Sequence, residues 1–300
     1  MILEDVKKAM RRTGMRPMPR WRGTSPIDLR GKRVLLTGAS SGIGAVAARK
    51  LAAEGATVFA VARRGDLLDD VVAQICAAGG DATAIRADLA DLDQVDAVVE
   101  QVSHVDILIN NAARSIRRPL IESLDRWHDV ERVMALNYYA PLRLIRGLAP
   151  GMIERGDGHV INIATWRVLP ESSPMFAVYN ASKAALSAVS RVIDTEWGRA
   201  GVHSTTIYYP LVATPMIAPT RAYDGLAALT AEETADWMVT ACKLRPIRIA
   251  PRKALALRAV DVVAPRVLNT ILGRETDRLN ARAGALGQQK PPAGHKDTAQ

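Results

Sequence analysis

The sequence predicts an α/β protein built on one doubly wound parallel sheet with helices on both faces. Three observations predict it. Apolar runs of strand length alternate with stretches of helical period, as in successive βαβ units. The apolar residues are aliphatic, with aromatics only 4% of the chain, a balance that suits Val, Ile and Leu strands covered by Ala-rich helices. A chain of 300 residues also fills one large core without help from crosslinks.

The elements follow in order. Strands are expected at Arg33 to Thr37, Thr57 to Val61, Ala82 to Ala87 and Val105 to Ile109. Helices fall between them at Gly44 to Glu54, Asp66 to Ala77 and Leu92 to Val102. The second half repeats the rhythm with a long helix from Leu124 to Leu148, a strand at His159 to Ala164, a helix from Tyr179 to Arg199 and a strand at His203 to Tyr208. Thr230 followed by Glu233 reads as a capping box that opens a helix to about Lys243. Ile247 to Ala250 is a last strand, and 252–274 a basic amphipathic helical stretch interrupted at Pro265.

Punctuation by Gly14, Pro17, Pro19, Gly23 and Pro26 makes residues 1–28 an arm with a short helix at Glu4 to Arg12. The catalytic-size domain is then 29–250, the helical extension 251–287, and 288–300 a polar, disordered tail.

The net charge of +9 belongs to the two ends. Residues 1–33 hold ten Lys/Arg against three acids and 243–300 twelve against four, whereas 34–242 hold eighteen against twenty-four. A mildly acidic centre without interleaved aromatics excludes a nucleic-acid module. Basic ends suit phosphate groups or the surface of an anionic membrane. No apolar run reaches the roughly 18 residues of a spanning helix, and charges stand where a signal peptide has its apolar stretch. Cys76 and Cys242 form no pair or cluster, and the five histidines lack metal-ligand spacing. The expectation is a cytoplasmic protein without a metal, with peripheral membrane contact left open.

Thr37-Gly38-Ala39-Ser40-Ser41-Gly42-Ile43-Gly44 follows the first strand and opens the first helix. Glycines let the backbone turn tightly against a pyrophosphate, whose charge free amides at the helix start then hold. This GxxxGxG spacing resembles the short-chain dehydrogenase/reductase family, whose Rossmann fold the alternation above matches. The resemblance implies Gly38, Ser40, Ser41, Gly42, Ile43 and Gly44 at the dinucleotide. It also implies Asp88 and Leu89 at the adenine, and Asn111, Ala112 and Ala113, in an Asn-Asn-Ala-Ala segment, at the rim of the same crevice. An acid that reads the ribose of NAD is expected at the end of the second strand. Ala62 stands there instead, followed by Arg63 and Arg64, so a 2′-phosphate is met by guanidinium groups and NADP(H) is the expected cofactor.

Tyr179 and Lys183 lie one helical turn apart on one face. An adjacent ammonium favours the ionised phenol, which brings proton exchange with a carbonyl oxygen within reach of neutral pH. In the family this pair follows a strand that ends in a hydroxyl residue, here Thr165, fourteen positions earlier. Asn137 resembles the family's helix Asn that holds a water linking the Lys to solvent. The implied catalytic set is Asn137, Thr165, Tyr179 and Lys183, with Tyr179 and Lys183 also meeting the cofactor. Pro210, Val212 and Thr214 resemble the loop that meets the nicotinamide, and Met216 to Leu229 reads as an apolar lid.

These residues imply hydride transfer between NADP(H) and a carbonyl or alcohol. Residues 245–252 and the basic helix resemble the fatty acyl-CoA reductase-like branch, which implies a long-chain aldehyde, ketone or thioester substrate. Pairing of the two long helices implies a homo-oligomer, dimer or tetramer. A non-catalytic dinucleotide sensor and a peripheral membrane protein stand as alternatives.

Overall fold

The computed structural model describes residues 14–17, 25–218 and 220–288. The Glu4 to Arg12 helix, Pro219 and residues 289–300 of the expected 288–300 tail lie outside the described residues, while Gln288 ends the last helix. Strands β1 (Arg33–Thr37), β2 (Thr57–Ala62), β3 (Asp81–Arg86), β4 (Ile107–Asn110), β5 (Gly158–Thr165), β6 (Val202–Tyr209) and β7 (Arg248–Ile249) form one parallel sheet. Its order is β3-β2-β1-β4-β5-β6-β7. The strand order reverses between β1 and β4, and in such sheets the carboxyl ends at that point open a ligand crevice.

Alternation along the strands assigns their two faces. Val34 and Leu36 join a core with α1 (Gly42–Ala53), α2 (Gly65–Ala77) and α7 (Ala231–Leu244), centred on Leu51, Leu68 and Met238. Leu35 points the other way, into a core with α3 (Leu92–Val102), α5 (Ala140–Arg155) and α6 (Ala177–Trp197), centred on Val98, Leu144 and Ile193. Each fully buried Leu of this kind contributes about 1.5–3 kcal/mol. The capping box forms as expected, with Thr230 Oγ1 accepting from the Glu233 amide at 3.1 Å and Glu233 Oε2 accepting from the Thr230 amide at 2.9 Å.

The long helix expected from Leu124 to Leu148 is corrected. A turn of 3₁₀ helix (Leu120–Ser123) precedes α4 (Trp127–Met134), a π-helical segment (Ala135–Tyr139) interrupts the run, and α5 continues to Arg155. Leu124 is 75% exposed and belongs to no helix. The interruption has a chemical cause: Pro141 has no N–H to close an α-turn on the carbonyl of Asn137.

Beyond β7, α8 (Arg252–Val263) and α9 (Pro265–Gln288) form the extension. The break falls at Pro265 as expected, but α9 runs well past residue 274. Leu268 and Leu272 anchor α9 in buried positions. The N-terminal arm touches the extension too, through a Pro17–Pro251 bridge and the Arg252 amide on the Arg16 carbonyl at 3.1 Å.

Candidate active site

Because the strands are parallel, their carboxyl ends deliver every loop to one edge. β1 delivers Gly38, β2 delivers Arg63 and Arg64, β3 Asp88, β4 Asn111, β5 Thr165 and β6 Pro210. A cleft of about 1100 Å³ opens there, larger than the roughly 300–1,000 Å³ of a site for one small molecule. It has room for a dinucleotide and a second ligand.

The glycine turn is held closed by its neighbours. A Cβ on Gly44 would stand 2.1 Å from the Gly38 carbonyl oxygen, and one on Gly38, whose φ is +71°, would stand 2.9 Å from the Ala112 Cα. Asn111 Nδ2 donates to the Thr37 carbonyl at 2.9 Å and to that of Gly38 at 3.4 Å. Thr37 Oγ1 accepts from the Asn111 and Ala112 amides at 2.9 and 3.0 Å. Asn111 thus shapes the cradle from behind by satisfying backbone groups. Ser41, the residue before α1, makes no side-chain cap, and the first turn of α1 carries no acid. Gly42, Ile43 and Gly44 at that helix start line the cleft, where uncapped amides attract an anion.

Arg64 Nη2 donates to Ser41 Oγ at 2.5 Å and to Ser40 Oγ at 3.3 Å, which ties the end of β2 to the glycine turn. Arg63 Nη1 lies 3.5 Å from Asp88 Oδ2. The two guanidinium groups and Ala62 line the cleft together with Ser40, Gly42, Ile43, Leu89 and Ala113. No carboxylate occupies the end of β2, so the residues present fit a phosphate-bearing ribose, the distinguishing group of NADP(H).

Tyr179 and Lys183 reach the same cleft from α6, with Thr165, Pro210, Val212 and Thr214 around them. A Cβ on Gly42 would touch Thr214 Cγ2 at 3.5 Å, so the loop after β6 closes over the glycine turn. Thr165 Oγ1 faces the Arg167 amide at 3.5 Å, long enough to leave it free for another partner. Lys183 is 1% exposed, and burial draws its ammonium down to about 8. The phenol of Tyr179, set edge-on to Phe176 at 6.2 Å, moves the other way. Burial first and the Tyr223 phenol second push it up to about 12. This corrects the expectation that Lys183 lowers it: Lys183 is not among the groups that shift this phenol, and in the free protein its burial sets the direction.

Asn137 alone of the expected set does not line the cleft. Fully buried, it accepts from the Arg114 amide at 2.8 Å and donates to the Arg114 carbonyl at 2.9 Å and to Ser182 Oγ at 3.0 Å. Its side chain is spent on fastening the loop after β4 to α6. What it has to offer is the backbone carbonyl that Pro141 leaves without its α-helical donor.

Sequence reasoning missed a charged group that lines the cleft beside Tyr223 of the expected lid: Arg117, Arg167, Lys253, Glu275 and Arg278. The Arg167 guanidinium lies over the Trp166 ring at 5.0 Å and 5.7 Å from the Phe176 centroid, and the Lys253 ammonium is 5.9 Å from that of Trp166. The run Arg114 to Arg118, immediately after Asn110-Asn111-Ala112-Ala113, was the available signal. Met216, Ile217 and Leu226 of the expected lid line the cleft as well. Among the described residues no cluster suits a metal ion, and no helix is long and apolar enough to cross a membrane.

Comparison with known proteins gives the family. The family described as short chain dehydrogenase matches residues 32–225. A fatty acyl-CoA reductase of Mycobacterium tuberculosis is 66% identical over 259 residues, 85% of this chain and 88% of its own length. A fatty acyl-CoA reductase of Acinetobacter baylyi is 43% identical over 267 residues, 88% of this chain and 90% of its own. Among solved structures, a gluconate 5-dehydrogenase homologue from Beutenbergia cavernae with bound NADP is 32% identical. It superposes with a TM-score of 0.66 over 77% of this chain and 94% of that one. On this fold, this cleft and these matches, the chain belongs to the short-chain dehydrogenase family of oxidoreductases.

Proposed function

We propose that this oxidoreductase uses NADPH to reduce a carbonyl carbon on a long acyl chain, with a fatty acyl-CoA thioester as the substrate that the site and the relatives support best. The carrying observation is that Tyr179 and a buried Lys183 share one cleft with Arg63, Arg64 and the glycine turn.

The glycine turn, with Arg63 and Arg64 toward a 2′-phosphate, would hold NADPH, which when bound would supply a hydride. Thr165 Oγ1 donates a hydrogen bond that orients the substrate oxygen. As negative charge builds on that oxygen, Tyr179 stabilises it and delivers the phenolic proton. Lys183, whose ammonium titrates near 8, returns a proton to Tyr179 through a water on the Asn137 carbonyl. With an aldehyde or ketone the product is the alcohol. With a thioester, loss of the thiolate from the reduced carbon gives the aldehyde and free CoA, consuming one NADPH and one proton. Thr214 and Val212 close the nicotinamide end.

The test is NADPH oxidation with a long-chain acyl-CoA, followed by titration of free thiol. The expected result is one thiol released per NADPH consumed in the first turnover, falling toward one per two as the released aldehyde is itself reduced. NADPH consumption without thiol would move the substrate to simple carbonyls, and no consumption with either class would leave a dinucleotide sensor.

The corner between α8 and α9 favours a second role for the extension. Val262 and Val263 are 77% and 85% exposed there, beside the exposed Arg258 and Arg266, a pairing that suits an anionic lipid surface. Salt-sensitive co-sedimentation with phosphatidylglycerol vesicles, lost in Val262→Asp, is expected.

A further inference from the structure

The cleft is far more cationic than the body that carries it. Eight basic side chains line it against two acids, Asp88 and Glu275, although residues 34–242 hold eighteen basic residues to twenty-four acidic ones. Arg63 and Arg64 are accounted for by the cofactor, and Lys183 by Tyr179. Arg114, Arg117, Arg167, Lys253 and Arg278 remain; Arg114 is tied through its backbone to Asn137, and the other four line the cleft with Tyr223.

Three of these side chains, those of Arg117, Arg167 and Lys253, have fixed neighbours. Arg167 and Lys253 share the Trp166 ring, at 5.0 and 5.9 Å. Arg117 Nη2 donates to Asn280 Oδ1 at 2.5 Å and hydrogen-bonds the Tyr223 phenol, whose charge in turn acts on Tyr179. Glu275 is the carboxylate that acts on Arg167. Gathering four like charges around one carboxylate raises the energy of the free protein unless an anion joins them. Lys253, Glu275, Arg278 and Asn280 all come from α8 and α9, beyond the 32–225 segment that the family match spans. The extension therefore completes a wall that the shared fold does not provide.

We propose that Arg117, Arg167, Lys253 and Arg278 form a receptor for the phosphates of a nucleotide-bearing thioester, the CoA moiety of the substrate, and that α8 and α9 serve to build it. The inference rests on the thioester reading above and assigns to named residues the part of the substrate that does not react. Phosphates match guanidinium groups in charge and fork geometry, and the ring-stacked cations are oriented before the ligand arrives.

The experiment has two arms, run on wild type and on the Lys253→Gln/Arg278→Gln double variant, whose substituted side chains are exposed. The first measures kcat/KM for a long-chain acyl-CoA and for the N-acetylcysteamine thioester of the same acid, which lacks every phosphate. The ratio between them is expected to favour acyl-CoA in wild type, to fall about tenfold in the variant, and to fall with added salt. The second titrates free CoA and 3′,5′-ADP into the NADP-loaded protein by calorimetry, with binding expected in wild type and weakened about tenfold in the variant. Equal ratios in both proteins, or free CoA binding that the substitutions leave intact, would overturn the proposal while the thioester reading stands. Better use of the same acyl group on a carrier protein than on CoA would also overturn it. If neither thioester is reduced, the reading under Proposed function fails, and the calorimetric arm still decides whether the receptor exists.

Discussion

Gly44→Ala measures how tightly the cofactor cradle is closed. The added methyl would sit 2.1 Å from the Gly38 carbonyl oxygen, 2.8 Å from Asn111 Nδ2 and 2.9 Å from the Gly38 carbonyl carbon. Real contacts of this kind are no shorter than about 3 Å, so the turn and α1 must part by about 1 Å. Two of the three obstacles are backbone and cannot rotate away. Overpacking of this sort costs about 1–3 kcal/mol, and displacing Asn111 from its two acceptors adds about 1 kcal/mol for each bond lost. The total, about 3–5 kcal/mol, corresponds to a drop of roughly 6–20 °C in Tm for a domain of this size. Differential scanning fluorimetry without cofactor reads it directly. Gly198→Ala is the control, since a Cβ there meets nothing within 4 Å and φ is −57°; its Tm should stay within about 2 °C of wild type. Equal melting of the two variants would refute the closed geometry of the turn.

Three further outcomes follow from the same structure. Arg64→Gln removes the guanidinium that joins β2 to Ser40 and Ser41. The Kd for NADPH is expected to rise about 10- to 100-fold with little change for NADH, as read by fluorescence titration; equal losses for both would remove Arg64 from the 2′-phosphate. Lys183→Met should stabilise the protein at pH 7 while abolishing turnover. The folded ammonium titrates near 8 against 10.5 in the unfolded chain, so the unfolded state binds more protons between those values. The penalty for burying the charge is therefore full below about pH 8 and fades toward pH 10.5, with a ceiling of about 3 kcal/mol. A Lys183→Met variant that melts below wild type at pH 7 would contradict it. The same titration makes carbonyl reduction fall as pH rises through about 8, visible in a kcat profile; a flat profile to pH 10 would remove Lys183 from the proton path.

Much of this was legible in the sequence, for definite reasons. Strand and helix periods differ, so the alternation from Arg33 to Tyr208 placed the sheet, and parallel strands must send their carboxyl ends to one edge. The glycine turn and the Tyr179/Lys183 spacing are local patterns, readable because the residues that act together are neighbours in the chain. The π segment was not read from hydrophobic period, which cannot report a single inserted backbone unit, although Pro141 four residues after Asn137 carried the cause. The pKa of Tyr179 went the other way because spacing reports a neighbouring charge and says nothing of how much water the cleft excludes. The cationic wall was invisible for a third reason. Arg117, Arg167, Tyr223, Lys253 and Arg278 come from five separate segments, and only the packing of α8 and α9 against the loops after β4, β5 and β6 assembles them. The basic C-terminus read as suited to phosphate groups or an anionic membrane; which of its residues line the cleft needed the fold.

The central claim is that Tyr179 is the proton donor at a carbonyl held over the nicotinamide site. Single-turnover mixing of NADPH-saturated Tyr179→Phe with a long-chain acyl-CoA, monitored by loss of NADPH absorbance, tests it most directly. The account predicts a hydride-transfer rate about 10²- to 10⁴-fold below wild type with the Kd for NADPH unchanged. A variant that transfers hydride at the wild-type rate would contradict it.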